Sequence, residues 1–183
     1  LYVGDEPIKV PTNPVSDYNG GNVRNYGSNN SQKITLGKAL DDTAYQMKAI
    51  YVGDGVFVCD RVMLCNISWN QLNAALETKS VADWAQRVKM RNISNEEYDK
   101  LCDATSENND LMHWKGMYSW TDNFYEDSEL SRVVRGHDSA RCFDGCDVTD
   151  YGSYSGARPA FDAMTLDDCA GLSVGDIVVM GTL

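Results

Sequence analysis

Five residue types, Lys, Glu, Gln, Met and Trp, are missing from the whole stretch between Leu130 and Ala163. Val10 to Ser31 lacks the same five, so the gap acquires meaning only from where it falls. Positive charge is scarce throughout: 16 Lys and Arg face 27 Asp and Glu, for a net charge of -11. That balance excludes a phosphate-neutralising surface and disfavours anionic membranes, so no nucleic-acid partner is expected. Histidine occurs only as His113 and His137, on different segments, which does not supply the two His and one carboxylate of a non-haem iron site. A G-x-S-x-G nucleophile elbow is absent, and with it the usual signature of a serine hydrolase. No apolar run reaches the length of a membrane span and no signal peptide is visible, so no membrane insertion is expected. Leu1 is not a start methionine, so the sequence is read as a processed or excised piece.

What remains is a chain with the means to build a core. Its 183 residues are 43% hydrophobic and include four Trp, ten Tyr and four Phe, which predicts one ordered domain. Residues 1–32 read as an extended leader, with a hairpin around Gly4-Asp5 followed by an Asn/Gly-rich linker, and residues 33–183 as the domain proper. The Tyr-Val-Gly-Asp string of the first hairpin recurs at Tyr51 to Asp54, with Val-Gly-Asp again at Val174 to Asp176, and reads as reused turn chemistry. Ser68-Trp69-Asn70-Gln71 and Ser94-Asn95-Glu96-Glu97 have capping-box spacing, which predicts helices over about 69–78 and 95–105. Val81, Trp84, Ala85 and Val88 share one helical face, predicting a third helix over Val81 to Met90. Short strands and loops follow from Asp110 onward. A helical half followed by a β-rich half predicts an α+β fold.

The six cysteines, Cys59, Cys65, Cys102, Cys142, Cys146 and Cys169, allow many pairings, but a domain of this size needs no staples. Cys59 and Cys65 lie in an apolar, strand-like run from Val56 to Ile67, where buried free thiols are expected.

The stretch from Arg132 to Phe161 carries most of the functional signal. Its two ends, around Arg135-Gly136 and Arg158-Pro159, read as apolar strands whose arginines lock the base of a loop through carboxylate or carbonyl partners. Trp120, Arg135, Gly136 and Arg158 are assigned to this structural frame. Between the ends lies a Tyr-, Ser-, Gly- and Asp-rich segment of the kind used in paratopes. There, Tyr supplies large contacts at low entropy cost and Ser and Gly adapt to what is opposite.

Three segments in register resemble the formylglycine-generating-enzyme-like module. Gly116-Met117-Tyr118-Ser119-Trp120-Thr121 is similar to its GN-hydrophobic-x-E-W segment, Arg132 to Ser139 to its RVxRGGSW, and Gly156-Ala157-Arg158-Pro159 to its closing GFR. The resemblance covers roughly the C-terminal third of the chain. It implies a C-type-lectin-like fold, with a small mixed sheet, two or three helices and a long loop-rich ligand-binding face. Within that superfamily the chain looks most like the variable proteins of diversity-generating retroelements. In these, adenine-directed rewriting of Asn-type codons leaves codons that cannot encode Lys, Glu, Gln, Met or Trp. Gly136-His137-Asp138-Ser139 departs from the Gly-Gly-Ser-Trp of the module, as if scaffold positions had been replaced by varied ones.

The resemblance implies a variable face at about residues 137–155, composed of His137, Asp138, Cys142, Phe143, Asp144, Cys146, Asp147, Val148, Asp150, Tyr151, Ser153, Tyr154 and Ser155. It also implies a protein or glycan ligand on a cell surface, an extracellular, cell-surface or virion location, and an upstream domain or virion partner. No catalytic residue, cofactor or metal is assigned in this reading. The alternative is a copper-dependent oxidase of the formylglycine-generating class acting through Cys142 and Cys146, since two thiolates suit a cuprous ion. A carbohydrate-binding module of fixed specificity is a third reading. Asp144, Asp147 and Asp150 recur at every third position and invite a calcium reading, but they lack EF-hand spacing and read better as solvated loop acids. Asn29, Asn66 and Asn92 head Asn-x-Ser strings, taken as chance matches.

Overall fold

Two capping boxes and three two-residue hairpin turns set much of the local structure in the computed structural model, which describes residues 1–12, 22–76, 88–163 and 165–180. Strands β1 (Tyr2–Val3) and β2 (Glu6–Pro7) close around Gly4-Asp5. Two short strands follow, β3 (Arg24–Asn25) and β4 (Ile34–Thr35), and β4 pairs back onto β1. Next come β5 (Lys48–Gly53) and β6 (Val56–Cys59). They are joined by Asp54 and Gly55 at φ 54° and 76°, the left-handed pair whose twist suits a two-residue hairpin. The middle of the chain holds β7 (Leu64–Cys65), helix α1 (Trp69–Ala75), β8 (Val88–Asn92), α2 (Asn95–Thr105) and α3 (Asn109–Met112). The C-terminal part supplies β9 (Tyr118–Tyr125), β10 (Ser128–Gly136), β11 (Phe143–Asp147), β12 (Ser155–Ala157), β13 (Pro159–Ala163) and β14 (Ile177–Val179).

Both capping boxes form. The Ser68 hydroxyl accepts from Gln71 N at 3.2 Å while the Gln71 side chain accepts from Ser68 N at 3.1 Å. Ser94 and Glu97 repeat the exchange at 3.2 and 2.9 Å, satisfying two orphan donors at the start of α2. Helix α1, expected to reach residue 78, stops at Ala75, because Leu76 leaves the helix to bridge Ile34. The helix expected over Val81 to Met90 is corrected at its C-terminal end, where Val88–Asn92 is strand. There Met90 is buried and Arg91 is held by Glu97 and Asp162, so pairing with β13 overrides the helical period. The rest of that expectation, Trp84 included, lies outside the described residues, as do residues 13–21 of the expected linker.

The strands form three sheets, and the fold is α+β. A small antiparallel sheet has the order β2-β1-β4. A six-stranded mixed sheet runs β11-β10-β9-β12-β7-β3, with β9/β12 and β3/β7 parallel. A five-stranded antiparallel sheet runs β14-β5-β6-β13-β8. The leader is not a separate tail: Leu1, Val3, Ile8 and Tyr26 join Phe57, Leu64, Leu72, Trp120 and Phe161 in the main core. A second cluster packs Tyr98, Leu101 and Cys102 of α2 against Ile50, Val58 and Ala160. β12 and β13 are one continuous run that changes sheet at a single residue, Arg158. The corner between the two larger sheets, and the foot of the candidate face, therefore share one side chain.

Candidate functional site

Arg158 is 1% exposed and has its guanidinium in the interior. Its Nε donates to Ser119 Oγ at 2.9 Å, Nη1 to the carbonyls of Cys59 (3.1 Å) and Met112 (2.7 Å), and Nη2 to His113 O at 3.1 Å. One side chain thus ties β6, α3 and β9 to the β12–β13 corner. Arg135, at the other end of the frame, donates to Asp99 Oδ1 of α2 at 2.6 Å and to Cys142 O at 3.1 Å. The Tyr98 ring lies within 4.9 Å of the Arg135 guanidinium and 5.7 Å of that of Arg158, close enough for a cation–π contribution from each. Trp120 is buried and its indole N–H reaches Ile67 O at 2.9 Å. Gly136 sits at φ 93°, and a Cβ there would stand 2.7 Å from the Tyr98 hydroxyl, so both conformation and space demand glycine. The four residues assigned to the frame are placed as a frame requires.

The segment expected to be one loop is instead a turn, the edge strand β11 and a second loop. Strand alternation divides its residues between two faces. Phe143, Gly145 and Asp147 share the face on which Arg135 meets Asp99 of α2, and the Phe143 ring packs 6.0 Å from Tyr125. Asp144 and Cys146 share the opposite face with Val134 and Arg132. The second loop, residues 148–154, is held by its backbone. Asn70 N donates to Val148 O and Asn66 N to Gly152 O, each at 3.0 Å, and Tyr118 N to Tyr154 O at 2.7 Å. Its large side chains are left outside: Tyr151 and Tyr154 are 53% and 46% exposed, and Phe143 on the strand is 55% exposed.

Three members of the expected face are corrected by their burial. His137, Val148 and Ser155 are 8%, 6% and 3% exposed, so their side chains support the face rather than compose it. His137 lies at φ 76°, donates its N–H to Trp114 O at 2.9 Å, and stacks on Tyr118 at 4.5 Å between ring centroids. Val148 N pairs with Leu130 O at 2.9 Å, and Ser155 begins the buried strand β12. Asp138, Asp144, Asp147, Asp150, Tyr151 and Tyr154 are exposed, and Cys142, Cys146 and Ser153 half-buried.

Cys142 and Cys146 do not form one site. Four residues of extended chain separate them by about 13 Å, well beyond what one ion bridges. The Cys142 thiol partners the Tyr118 hydroxyl, whereas Cys146 Sγ lies 3.8 Å from Asp150 Oδ2. Burial, followed by the charge of Asp150, pushes the Cys146 thiol up to about 11. Burial likewise pushes Cys59 to about 12 and Cys65 and Cys102 to about 11, so these thiols are protonated at neutral pH, and all six cysteines are free. The three loop acids are each used locally. Asp144 caps Gly145 N at 2.8 Å, Asp147 accepts from Thr149 N and Oγ1 at 2.8 and 2.6 Å, and Asp150 faces Cys146. Among the described residues, no group of three or more His, Cys, Asp or Glu is placed to hold a metal ion.

Sequence reasoning missed two arrangements that only folding brings together. Asp60, Arg61 and His113 form a largely buried cluster, with Arg61 bidentate on Asp60 at 2.9 and 2.6 Å and its Nη2 2.6 Å from His113 Nε2. A guanidinium only donates, so that imidazole nitrogen accepts and His113 is neutral. Burial is the largest influence on His113 and lowers its pKa. Burial would raise Asp60, but the bidentate Arg61 guanidinium overcomes it and holds Asp60 low. The second is Arg132, whose guanidinium lies between the rings of Trp69 and Phe124, 4.0 and 4.1 Å from their centroids. Adjacent Asp60-Arg61 is the one hint the sequence offered for either.

No protein-family model and no curated protein matches the chain. No helix among the described residues is long and apolar enough to cross a membrane.

Proposed function

We propose that this chain is a binding protein of C-type-lectin-like architecture that presents residues 138–154 to a protein or glycan partner on a cell surface. In the same reading it is a variable protein of a diversity-generating retroelement, working at a cell or virion surface. The observation that carries the proposal is the split between how the face and its footing are held. Tyr151, Tyr154 and Phe143 are large and exposed, while Arg135, Gly136, Arg158 and Trp120 are buried, the two arginines and the indole with hydrogen-bond partners inside the protein. Such an arrangement lets the outer side chains change without disturbing the fold, and it places rigid aromatic anchors where binding energy concentrates. Three main-chain hooks preorganise the second loop, which lowers the ordering cost of association.

The test begins with a screen of surface glycans and displayed proteins, followed by substitution on the best binder. Tyr151→Ala and Tyr154→Ala should each weaken binding by about 2 kcal/mol or more. Changing Cys142 and Cys146 together to Ser should cost much less. Loss of binding only in the cysteine variant, with the tyrosines silent, overturns the reading. For the retroelement assignment, the test is the neighbouring DNA. It should hold a reverse-transcriptase gene and a near-copy of the codons for Gly136 to Phe161 that differs only at adenines.

A further inference from the structure

The charge of the chain is not evenly spread. No lysine follows Lys115, and the remaining 68 residues hold four Arg against twelve Asp and Glu. None of those four arginines is free to meet a partner. Arg158 is interior, Arg135 is tied to Asp99, and Arg132 is buried between two rings. Arg141 is held by Asp103 and Glu107 of the α2 region at 2.5 Å each. The exposed charge near Tyr151 and Tyr154 is mostly that of Asp138, Asp144 and Asp150, with Lys115, whose backbone bridges to His137, at one end.

The same surface carries a corner of rings. Tyr154 meets Tyr118 at 65° and 6.4 Å and His137 at 74° and 6.0 Å, while Tyr118 and His137 stack. Asp138 Oδ1 contacts His137 Nδ1 at 2.9 Å, and the Tyr118 hydroxyl is held high by burial first, then by its contact with Cys142 and the nearby carboxylates of Asp144 and Asp138. Aromatic faces flanked by carboxylates attract ammonium and guanidinium groups through the ring quadrupole and through simple charge.

Pairing of a partner strand with the edge of β11 is disfavoured. Gly136 N→Cys142 O and Val148 N→Leu130 O set the even-numbered residues of this stretch toward β10, so 143, 145 and 147 turn their backbone outward. The Gly145 N–H is already capped by Asp144, and Asp147 O by Asp150 N at 3.0 Å. An edge blunted in this way leaves side-chain contact as the mode of recognition.

We propose that the surface formed by the 148–154 loop, the Tyr118–His137–Tyr154 corner and the Asp144 face of β11 docks a Lys- and Arg-bearing segment of a partner protein. This rests on reading the face as a binding surface and adds the chemistry of what it binds. A segment, rather than a lone cation, fits because Asp138, Asp144 and Asp150 are carried in succession by the turn, the strand and the loop rather than gathered at one point. An acidic glycan or nucleic acid would meet net repulsion there.

The test uses the whole chain with a fluorescent oligoarginine peptide as probe and an uncharged peptide of equal length as control. Anisotropy should report saturable binding at low salt that weakens steadily as salt is added. Amide shifts on titration should fall within residues 118 and 137–154. Combining Asp138→Asn, Asp144→Asn and Asp150→Asn should weaken binding about tenfold, and Tyr154→Ala several-fold, with melting temperatures checked to confirm folding. Combining Glu96→Gln, Asp110→Asn and Asp167→Asn removes as many charges elsewhere and should leave affinity unchanged. Equal losses in the two charge sets, or shifts mapping outside the face, overturn the proposal, as does an absence of binding at low salt. If library selection yields partners without basic residues that still depend on Tyr151 and Tyr154, this inference fails while the binding reading stands. If neither tyrosine matters to any partner, the binding reading itself fails.

Discussion

Arg158 and the 148–154 loop are near neighbours in sequence, yet they are fixed in opposite ways. Arg158 is held by its side chain: four hydrogen bonds inside the protein place it, and the backbone changes sheet around it. The loop is held chiefly by its backbone, through hooks from Asn70, Asn66 and Tyr118, while its two tyrosines stay exposed, Tyr154 resting edge-on against Tyr118 and His137. The comparison teaches where change is tolerated. Substituting a side chain that is the anchor alters the fold, whereas substituting one that hangs from an anchored backbone alters only the surface.

The largest expected effect tests the first half of that comparison. Arg158→Met leaves three interior carbonyls and Ser119 without their donor, so stability should fall by roughly 3 kcal/mol or more. A denaturation midpoint close to that of the parent would show that Arg158 is not the pin of the corner. Gly136→Ala should cost about 2 kcal/mol, because it combines strain at φ 93° with a contact on the Tyr98 hydroxyl. The same melt with Tyr98→Phe as background should recover part of the loss, which a purely conformational cost would not allow.

An effect of intermediate size concerns acid. His113 has its pKa lowered in the folded state, so the unfolded chain binds a proton first, and stability declines as pH falls below about 6.5. Asp60 and Glu97 are held below the ordinary carboxylate range by Arg61 and by Arg91 with Ser94, respectively. Their stabilisation is present above the unfolded carboxylate pKa and is lost as pH falls through the folded one. Both effects have the same sign, so melting temperature should drop steadily from pH 7 toward pH 3. His113→Gln should flatten the upper part of that curve, between about pH 6.5 and 5, and leave the lower part standing. A profile unchanged by the substitution would contradict the Arg61–His113 contact.

Ser94→Ala removes one half of a capping box and should cost about 1 kcal/mol, read from the shift in denaturant midpoint. The smallest effect completes the comparison. Tyr151→Ala and Tyr154→Ala should change stability by no more than about 0.5 kcal/mol even as they abolish binding. A large destabilisation in either would mean that the loop is held by its side chains after all, and the distinction drawn from Arg158 would dissolve.

The sequence by itself determined whatever is written in consecutive residues. Ser-x-x-Gln and Ser-x-x-Glu capped their helices because a cap needs only partners three residues apart. Asp54-Gly55 closed its hairpin because left-handed backbone at both positions is a local preference. The burial of Arg135, Gly136 and Arg158 was legible too, because an arginine or glycine at an apolar strand end has few ways to be satisfied.

Tertiary structure decided what depends on partners far along the chain. The resemblance implied one exposed face from His137 to Ser155, but pairing with β10 turned its centre into the edge strand β11, and alternation then sent Phe143 and Asp144 to opposite faces. His137 went inside because Tyr118, on another strand, offered it a ring to stack on. Val88 to Met90, the end of the segment expected to be helical, became strand instead because β13 supplied a ladder. The Asp60–Arg61–His113 cluster spans more than fifty residues of chain, and no local pattern encodes it. Local hydrogen bonds are chosen by near neighbours, whereas burial and face are chosen by whichever surface the completed core brings opposite.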